Sequence, residues 1–281
     1  MRTSARNPDD SGRATYSATS PVFGASWRAN DALQLYASYG EGFETATFNE
    51  LQYRADGGSG LNFPLRPART RSAEVGAKAG REALRVEWAV FRADTRDEIT
   101  VATSAGGRTT YQNAGDARRD GMEVSGAMPL GGAWHVEFAL ALLDARFSDG
   151  FLACSATPCA TPNVPVAAGT RIPGVPRTTL QAALRWGDPL VGWHARIDGG
   201  YVGAVAVNNF DDERAPSYAV FGASAGYGFR GDDREGRIFV AVDNLGDRAC
   251  AGSVIVNEGN KRYYEPAAGR GWTVGVEWHW R

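Results

Sequence analysis

The chain has 281 residues, 35 of them glycine, and 11% of its residues are aromatic. That length permits one large all-β domain or two ordinary domains, and this composition suits many strands and tight turns better than long helices. The formal net charge of −2 gives no field that would attract nucleic acid, no stretch predicts a transmembrane helix, and the amino terminus lacks the apolar segment of a secretion signal.

Residues 1–19 are polar and charged, and they predict a disordered segment or the remnant of a loop. From residue 20 to residue 281, apolar and polar residues alternate in about eleven stretches. Successive side chains of a strand point to opposite faces, so each stretch predicts a strand with one apolar and one polar face. The first two are residues 21–29 and residues 33–39.

The connections alternate between short turns and long loops. Short turns are predicted at Asn30-Asp31, Gly131-Gly132 and Gly187-Asp188, whereas residues 40–69, 148–174, 204–216 and 245–269 form loops. Between two of the strands, residues 97–101 rise to a tip at Gly106-Gly107 and residues 111–128 return. Outer-membrane barrels show this asymmetry, with short periplasmic turns and long extracellular loops.

The last strand shows the alternation best. One face carries Trp272, Val274, Val276, Trp278 and Trp280, and the other carries Thr273, Gly275, Glu277 and His279. An apolar face with aromatic residues at both ends is typical of a membrane barrel strand, whose outer face lies against lipid. The sequence therefore predicts an all-β fold: an antiparallel up-and-down transmembrane β-barrel sheet of about eleven strands. A soluble β-sandwich or propeller also alternates and stays the alternative.

Three cysteines are present. Cys154 and Cys159 lie close together in a loop, so they could form a small disulfide or remain unpaired thiols, and Cys250 stands apart. A metal site is less favoured because the loop contains no histidine. The sequence indicates neither a cofactor nor a catalytic motif.

Several motifs, in order, resemble the carboxy-terminal part of the barrel of TonB-dependent outer-membrane receptors. The motifs are the stretch from Leu35 to Phe43 with Thr47 to Leu51; Glu74, Gly76 and Lys78; Asn113-Ala114-Gly115 with Gly121 and Glu123; Asn244-Leu245; and Gly269-Arg270. Departures include Gly246, where the family has an aromatic residue, and Arg281 after the penultimate Trp280, where the family ends in an aromatic residue.

The resemblance implies a receptor that takes up ferric siderophores, cobalamin or another scarce nutrient with energy from TonB. It also implies an outer-membrane location, lipid as a partner, and a plug domain through which TonB acts. We expect residues 20–281 to supply about half of such a barrel, without plug, TonB box or signal peptide, as a fragment or as one piece of a split receptor.

The long loops supply cations and aromatic rings suited to an anionic, catecholate-like chelate. The candidate ligand-binding residues are Tyr53, Arg54, Arg66, Arg69, Arg171, Lys261, Arg262, Tyr263 and Tyr264. Ordinary loop solubility and a belt of interfacial aromatics explain the same residues. Two alternatives to uptake remain: a partial barrel that closes by oligomerisation or with a partner chain, and an outer-membrane enzyme, for which no Ser-His-carboxylate motif is visible.

Overall fold

Eleven long strands form one antiparallel sheet, in which each strand pairs with the next long strand along the chain. The computed structural model describes residues 12–54, 56–58, 60–81, 83–154, 162–231 and 233–280. The sheet strands are β1 (Val22–Asn30), β2 (Leu33–Glu44), β3 (Ala68–Arg81), β4 (Leu84–Arg96), β7 (Ala117–Gly131), β8 (Trp134–Phe147), β11 (Thr178–Asp188), β12 (Val191–Val202), β15 (Tyr218–Arg230), β16 (Arg234–Asp243) and β19 (Gly271–Trp280). The predicted up-and-down sheet of about eleven strands is confirmed; it is open, with β1 and β19 at its edges.

Where the structure describes them, the long connections contain four small two-stranded sheets and one short helix. The pairs are β5 (Ile99–Ala105) with β6 (Arg108–Asn113), β9 (Phe151–Ala153) with β10 (Val164–Val166), β13 (Val205–Ala206) with β14 (Arg214–Ala215), and β17 (Ala251–Val254) with β18 (Tyr264–Pro266). Helix α1 (Phe48–Leu51) starts at a capping box, in which Thr47 and Glu50 bind each other's backbone N–H groups. No helix in the described residues is long and apolar enough to cross a membrane.

Strand register carries the two-residue alternation across the whole sheet. Between β16 and β19, Val240 lies opposite Val274 on one face, while Arg237 lies opposite Glu277 on the other. Arg237 and Glu277 form a paired hydrogen bond with both N···O distances at 2.8 Å. We call the two sides of the sheet the apolar face and the polar face.

All eight tryptophans of the chain lie on the apolar face. They are Trp27, Trp88, Trp134, Trp186, Trp193, Trp272, Trp278 and Trp280. Their exposed fractions run from 38% for Trp186 to 75% for Trp280. In the described part of the chain no second layer covers these side chains. The interior of a water-soluble sandwich would bury them, so the face has the character of a surface that meets lipid.

Buried apolar residues are concentrated at the long-loop end of the sheet. Phe147 packs with Ala114, Ala145 and Ile172, and Val207 packs in a second cluster of the loops. Phe147 and Val207 have no exposed surface. The compact, water-excluding packing of this chain therefore lies in and beneath its loops rather than between sheet layers.

Two sequence-based boundaries differ from the structure. The predicted loop at residues 40–69 is shorter, because β2 continues to Glu44 and β3 starts at Ala68, so Arg69 belongs to a strand. Residues 1–11 lie outside the described residues, and residues 12–20 form neither strand nor helix.

Candidate functional site in the long loops

The two ends of the sheet differ, and the site lies at the end that carries the long connections. At the other end, short turns such as Asn30 to Leu33 join the strands, and Asn30 accepts a hydrogen bond from the backbone of Ala32 at 2.8 Å. We call these the loop end and the turn end. The loop end positions side chains from three connections that are far apart in the sequence.

The hairpin β5–β6 leaves the sheet between β4 and β7. It contacts the loops that follow β12 and β16, which lie towards the other edge of the sheet. The carbonyl oxygen of Val101 accepts hydrogen bonds from the side chains of Asn209 at 3.3 Å and Asn257 at 2.8 Å. Asn209 follows β13 and Asn257 follows β17. These contacts join the loops of strands that are several positions apart in the sheet.

Further backbone contacts extend this connection. The N–H of Gly259 donates to the carbonyl of Ser104 at 2.7 Å, and the Ser104 hydroxyl donates to Glu258 at 3.3 Å. The N–H of Asn257 also donates to the carbonyl of Val207 at 3.0 Å. We call the hairpin β5–β6 and the segments 203–217 and 244–270 the loop assembly.

Local sequence explains the tight bends of this assembly. Asp211 and Asn257 adopt left-handed backbone conformations, with φ of 53° and 54°. Asn and Asp tolerate this region better than other non-glycine residues because their short side chains bind the backbone locally. The amide side chain of Asn257 also accepts the N–H of Asn209 at 2.9 Å, which holds the bend in place.

A cavity of about 280 Å³ lies within the loop assembly. Its polar lining comprises Thr103, Asn208, Asp212, Glu213, Asn257, Glu258, Lys261 and Tyr263. The three carboxyl groups outnumber the single ammonium group of Lys261. The cavity is therefore rich in hydrogen-bonding groups, and it is not the strongly cationic pocket that an anionic chelate would favour.

The tyrosine pair of the loop assembly is only partly available to a ligand. Tyr263 is 6% exposed and packs against Val207, while Tyr264 donates a hydrogen bond from its hydroxyl to Glu213 at 3.0 Å. Burial, and then the hydrogen bond to Glu213, raise the pKa of Tyr264.

Arg171 lies half-buried between two carboxylates, at 3.8 Å from both Asp144 and Asp211. Burial, followed by the neighbouring guanidinium of Arg177, lowers its pKa. Asp211 is shared with Arg214, which it binds at 2.8 Å. Arg171 therefore lies near two carboxylates, each of which binds another arginine more closely.

A second group of predicted residues lies beside the hairpin β5–β6. The guanidinium of Arg108 is 5.1 Å from the centre of the Tyr53 ring, and Arg66 pairs with Asp97 at 2.6 Å. Arg54 binds Asp56 and holds the pKa of that carboxyl well below its usual range. These two arginines, like Arg171, already have carboxylate partners.

The two remaining predicted residues are placed differently. Arg69 lies at the loop end of the apolar face, where its guanidinium is 5.6 Å from the ring centre of Phe43. The backbone of Arg262 donates to the Asn260 side chain at 2.8 Å. The structure thus brings Lys261, Tyr263 and Tyr264 together, places Tyr53, Arg54 and Arg66 in another group, and puts Arg69 on a separate surface.

Cys250 has a free thiol. Cys154 is disulfide-bonded, and its predicted partner Cys159 lies outside the described residues. A link from Cys154 to Cys159 stays a prediction.

The three histidines lie on the polar face near the turn end. His135 is opposite Arg185, and His194 is opposite Gly226. Within the described ranges, no hydrogen bond joins a histidine to a serine or a carboxylate, so the geometry lacks the nucleophile, base and orienting acid of a hydrolase.

Asn209, Asn257 and Glu258 carry much of the loop assembly, although the sequence analysis did not single them out. The sequence pattern that could have indicated the tight loop is the group of Asn and Asp residues at positions 208, 209, 211 and 212, because these residues favour tight loop conformations. The long-range partners of Asn209, Asn257 and Glu258 could not be predicted from this pattern.

Comparison with known proteins agrees with this architecture. Residues 2–245 match the family model of the TonB dependent receptor-like β-barrel. The vitamin B12 transporter BtuB of Vibrio vulnificus (strain YJ016) is 30% identical over 103 residues, which are 36% of this chain and 16% of that protein.

Solved structures share the fold. The siderophore receptor PiuA from Acinetobacter baumannii is 18% identical with a TM-score of 0.70, and the match covers 91% of this chain and 35% of that chain. The copper transporter OprC is 20% identical with a TM-score of 0.69, and the match covers 92% and 39%. The chain thus spans less than half of each of these proteins, which are receptors and transporters rather than enzymes. On the family match, the chain belongs to the TonB-dependent receptor-like β-barrel family.

Proposed function

We propose that this chain forms part of an outer-membrane receptor that takes up a ferric siderophore or a similar scarce nutrient, with energy delivered by TonB through a plug domain. The apolar face would meet lipid, the loop end would face the outside, and the loop assembly would receive the ligand. The printed names of the similar proteins, which include vitamin B12, copper and siderophore transporters, support this class of cargo.

The dimensions and chemistry of the apolar face support the membrane placement. Trp272 and Trp280 stand at the two ends of β19 and enclose a stretch of nine residues, close to the roughly 9–11 residues that a tilted membrane strand needs. The apolar band of an outer-membrane barrel is about 25 Å tall, with aromatic residues at both interfaces.

The observation that carries the receptor proposal is the double hydrogen bond to Val101. It holds loops from distant strands together at one end of the sheet, with the cavity beside them. A preformed chamber of this kind suits a ligand that is captured outside and passed inward. Because most loop arginines are already paired, we expect hydrogen bonds as well as charge to contribute to ligand recognition.

Fluorescence in vesicles tests the membrane placement. We expect vesicles of brominated phosphatidylcholine to quench most of the tryptophan emission, since all eight indoles lie on the apolar face. Acrylamide in water should quench little. The reverse pattern would contradict the placement.

Ligand binding tests the receptor proposal. We would measure binding of a panel containing ferric catecholate and hydroxamate siderophores, cobalamin and a copper chelate to the chain in detergent. Lys261→Ala should weaken binding of the cognate compound by about tenfold, as expected for one charge-assisted contact. Lys78→Ala, on the polar face far from the loops, is the matched control. Equal loss in both variants, or no binding to the whole panel, would count against the loop assembly as the ligand site.

The open edges of the sheet favour a second possibility. Among the residues that the structure describes, strands β1 and β19 each pair on one side only, and lipid cannot satisfy free backbone groups. We propose that further strands pair with both edges, from the same polypeptide or from a partner chain. A heat-dependent change in electrophoretic migration of the chain alone would instead show closure without added strands.

A further inference from the structure

The cavity of the loop assembly is lined by more acidic than basic side chains. Asp212, Glu213 and Glu258 supply carboxyl groups, and Lys261 supplies an ammonium group. None of these four side chains forms an ion pair with a residue that the structure describes. The lining therefore carries a net negative charge, and a charged ligand would meet it directly.

Neutral groups hold two of these carboxyl groups in place. The side-chain amide of Asn208 donates to Oδ1 of Asp212 at 2.6 Å, and the hydroxyl of Tyr264 donates to Oε1 of Glu213 at 3.0 Å. Within the described ranges, Oδ2 of Asp212 and Oε2 of Glu213 accept no hydrogen bond. Both carboxyl groups are thus oriented without being paired with a cation, and each keeps one oxygen atom for a ligand.

An aromatic ring and an amide add to the same surroundings. The half-buried side chain of Phe210 lines the cavity, and so does Asn208. Asn209, between them in the chain, is 1% exposed, and its Oδ1 atom has no hydrogen-bond partner among the described residues. An ammonium group has three N–H donors, and it is attracted to carboxylates and to the face of an aromatic ring. This lining therefore suits a protonated amine better than an anion.

Lys261 gives the cavity a second kind of contact. It is exposed, and its backbone has a left-handed conformation with φ of 62°. An ammonium group binds negatively charged oxygen atoms, such as those that coordinate iron in a chelate. The cavity can therefore contact a ligand that is anionic in one part and cationic in another.

We propose that the cargo of this cavity is a metal chelate that carries a protonated primary amine. Asp212 and Glu213 bind the amine, and Lys261 contacts the oxygen atoms around the metal. The inference rests on the proposed function, because it takes the loop assembly as the nutrient site. Hydrogen bonds between an ammonium and a carboxylate are about twice as strong as neutral ones. An anionic arm in the same place would meet like charges, so the carboxyl groups also select against it.

Three forms of one chelate test the recognition of the amine separately from that of the metal centre. Ferrioxamine B is a linear trihydroxamate whose iron centre is uncharged and whose free end is a primary ammonium group. Acetylation of that end removes the charge, and succinylation replaces it with a carboxylate. Isothermal titration calorimetry with the full chain in detergent would give the dissociation constant of each form.

The test variant is D212N/E213Q. For the unmodified chain we expect ferrioxamine B to bind about tenfold more tightly than its acetylated form, the effect of one charge-assisted contact. The succinylated form should bind more weakly still. In D212N/E213Q all three forms should bind about equally, because the new amides keep an acceptor for Asn208 and Tyr264 but lose the charge. Unchanged binding of the acetylated form would show that the variant is folded.

Two further variants serve as controls. D247N/E265Q also removes two carboxyl groups from the loop assembly, but neither residue lines the cavity. It should keep the tenfold preference for ferrioxamine B. Lys261→Ala should weaken all three forms alike, because Lys261 contacts the part of the chelate that they share.

The results that would overturn the inference are distinct from those that would overturn the receptor proposal. Equal binding of the three forms to the unmodified chain, with a loss in Lys261→Ala, would exclude amine recognition and leave the nutrient site in place. A preference for the succinylated form, or a tenfold preference kept by D212N/E213Q, would also exclude it. Displacement of ferrioxamine B by an equal concentration of calcium would assign the carboxyl groups to a metal ion instead. Absence of binding by all three forms would remove both this inference and the assignment of the nutrient site.

Discussion

The ring of Phe239 lies directly over Gly275, its partner across β16 and β19 on the polar face. A Cβ atom added to Gly275 would come within 2.4 Å of the ring. The same arrangement recurs between Tyr36 and Gly76, where the corresponding distance is 2.5 Å. Glycines opposite aromatic rings therefore fix the register of neighbouring strands, because a one-residue slip would place the ring against a side chain.

Replacing Gly275 with alanine tests this packing. We expect Gly275→Ala to destabilise the folded chain by about 1–3 kcal/mol, the usual cost of inserting a methyl group into a filled space. Gly271→Ala is the matched control, since Gly271 lies on the same strand and face with nothing within 4 Å of an added Cβ. Urea unfolding in detergent micelles, followed by tryptophan emission, gives both values. Equal stability of the two variants would show that the ring moves aside.

The half-buried ion pair between Arg119 and Glu98 should anchor the hairpin β5–β6 to the sheet. Its shortest N···O distance is 2.7 Å, and the side chains are 28% and 13% exposed. We expect Glu98→Gln to cost about 1.5–3 kcal/mol, because Arg119 would lose its charged partner. Glu87→Gln removes the exposed pair with Lys78 and should cost about 0–1 kcal/mol. A larger loss in Glu87→Gln would contradict the role assigned to burial.

Asn257 should control the integrity of the loop assembly. Asn257→Ala loses the hydrogen bonds to Val101 and Asn209 and forces alanine into a left-handed conformation. We expect a local loss of about 2–3 kcal/mol. Hydrogen exchange should then be faster around residues 101 and 209.

A glycine variant separates the two effects. Asn257→Gly keeps the backbone conformation but loses the side-chain bonds, so it should fall between the native chain and Asn257→Ala. Asn260→Ala, which loses only an exposed loop contact, is the control. Protection at residue 101 that is the same in all variants would argue against the proposed link between loops.

Tyr264 provides a pH-dependent contact. Its pKa is raised above the usual value of about 10, by burial first and then by the hydrogen bond to Glu213. Because the pKa is raised, the folded state favours the neutral phenol of Tyr264. Its contribution to stability is complete below about pH 10 and is lost as the pH rises through the raised value.

Absorbance at 295 nm checks this expectation. The difference between the absorbance titrations of the native chain and Y264F should show a phenol that ionises at a higher pH than free tyrosine. In Glu213→Gln the ionisation should move to lower pH, since the neighbouring negative charge is gone. An unchanged titration in Glu213→Gln would contradict the role of that carboxylate.

The strands and their faces could be predicted because each depends on a local pattern. Alternation alone placed Trp272, Val274 and Trp278 on the face that the structure leaves open, and the positions of the turns followed from Gly, Asn and Asp. The short connections predicted half of the strand pairs, since they join antiparallel neighbours, and the same order continues across the long loops.

The loops could not be predicted in the same way. Strands β9 and β10 have three residues each, too few to show alternation. The contacts of Val101 with Asn209 and Asn257 join positions more than 100 residues apart, which no local pattern encodes. The sequence placed Arg69 in a loop rather than on the apolar face of a strand. Its strand starts at Ala68, inside a segment rich in Gly and Pro that hides the alternation.

Because the fully enclosed side chains, such as Phe147 and Val207, lie in the loop end while the sheet leaves its tryptophans open, mutational tolerance should be inverted relative to a water-soluble protein. On the outward rows of the strands, one aliphatic or aromatic residue can replace another with little penalty, since fluid acyl chains adapt to any shape. Volume changes at Phe147 or Val207 meet rigid neighbours and should be selected against. Library sequencing after selection for folded chains would then find permissive strands and restrictive loops.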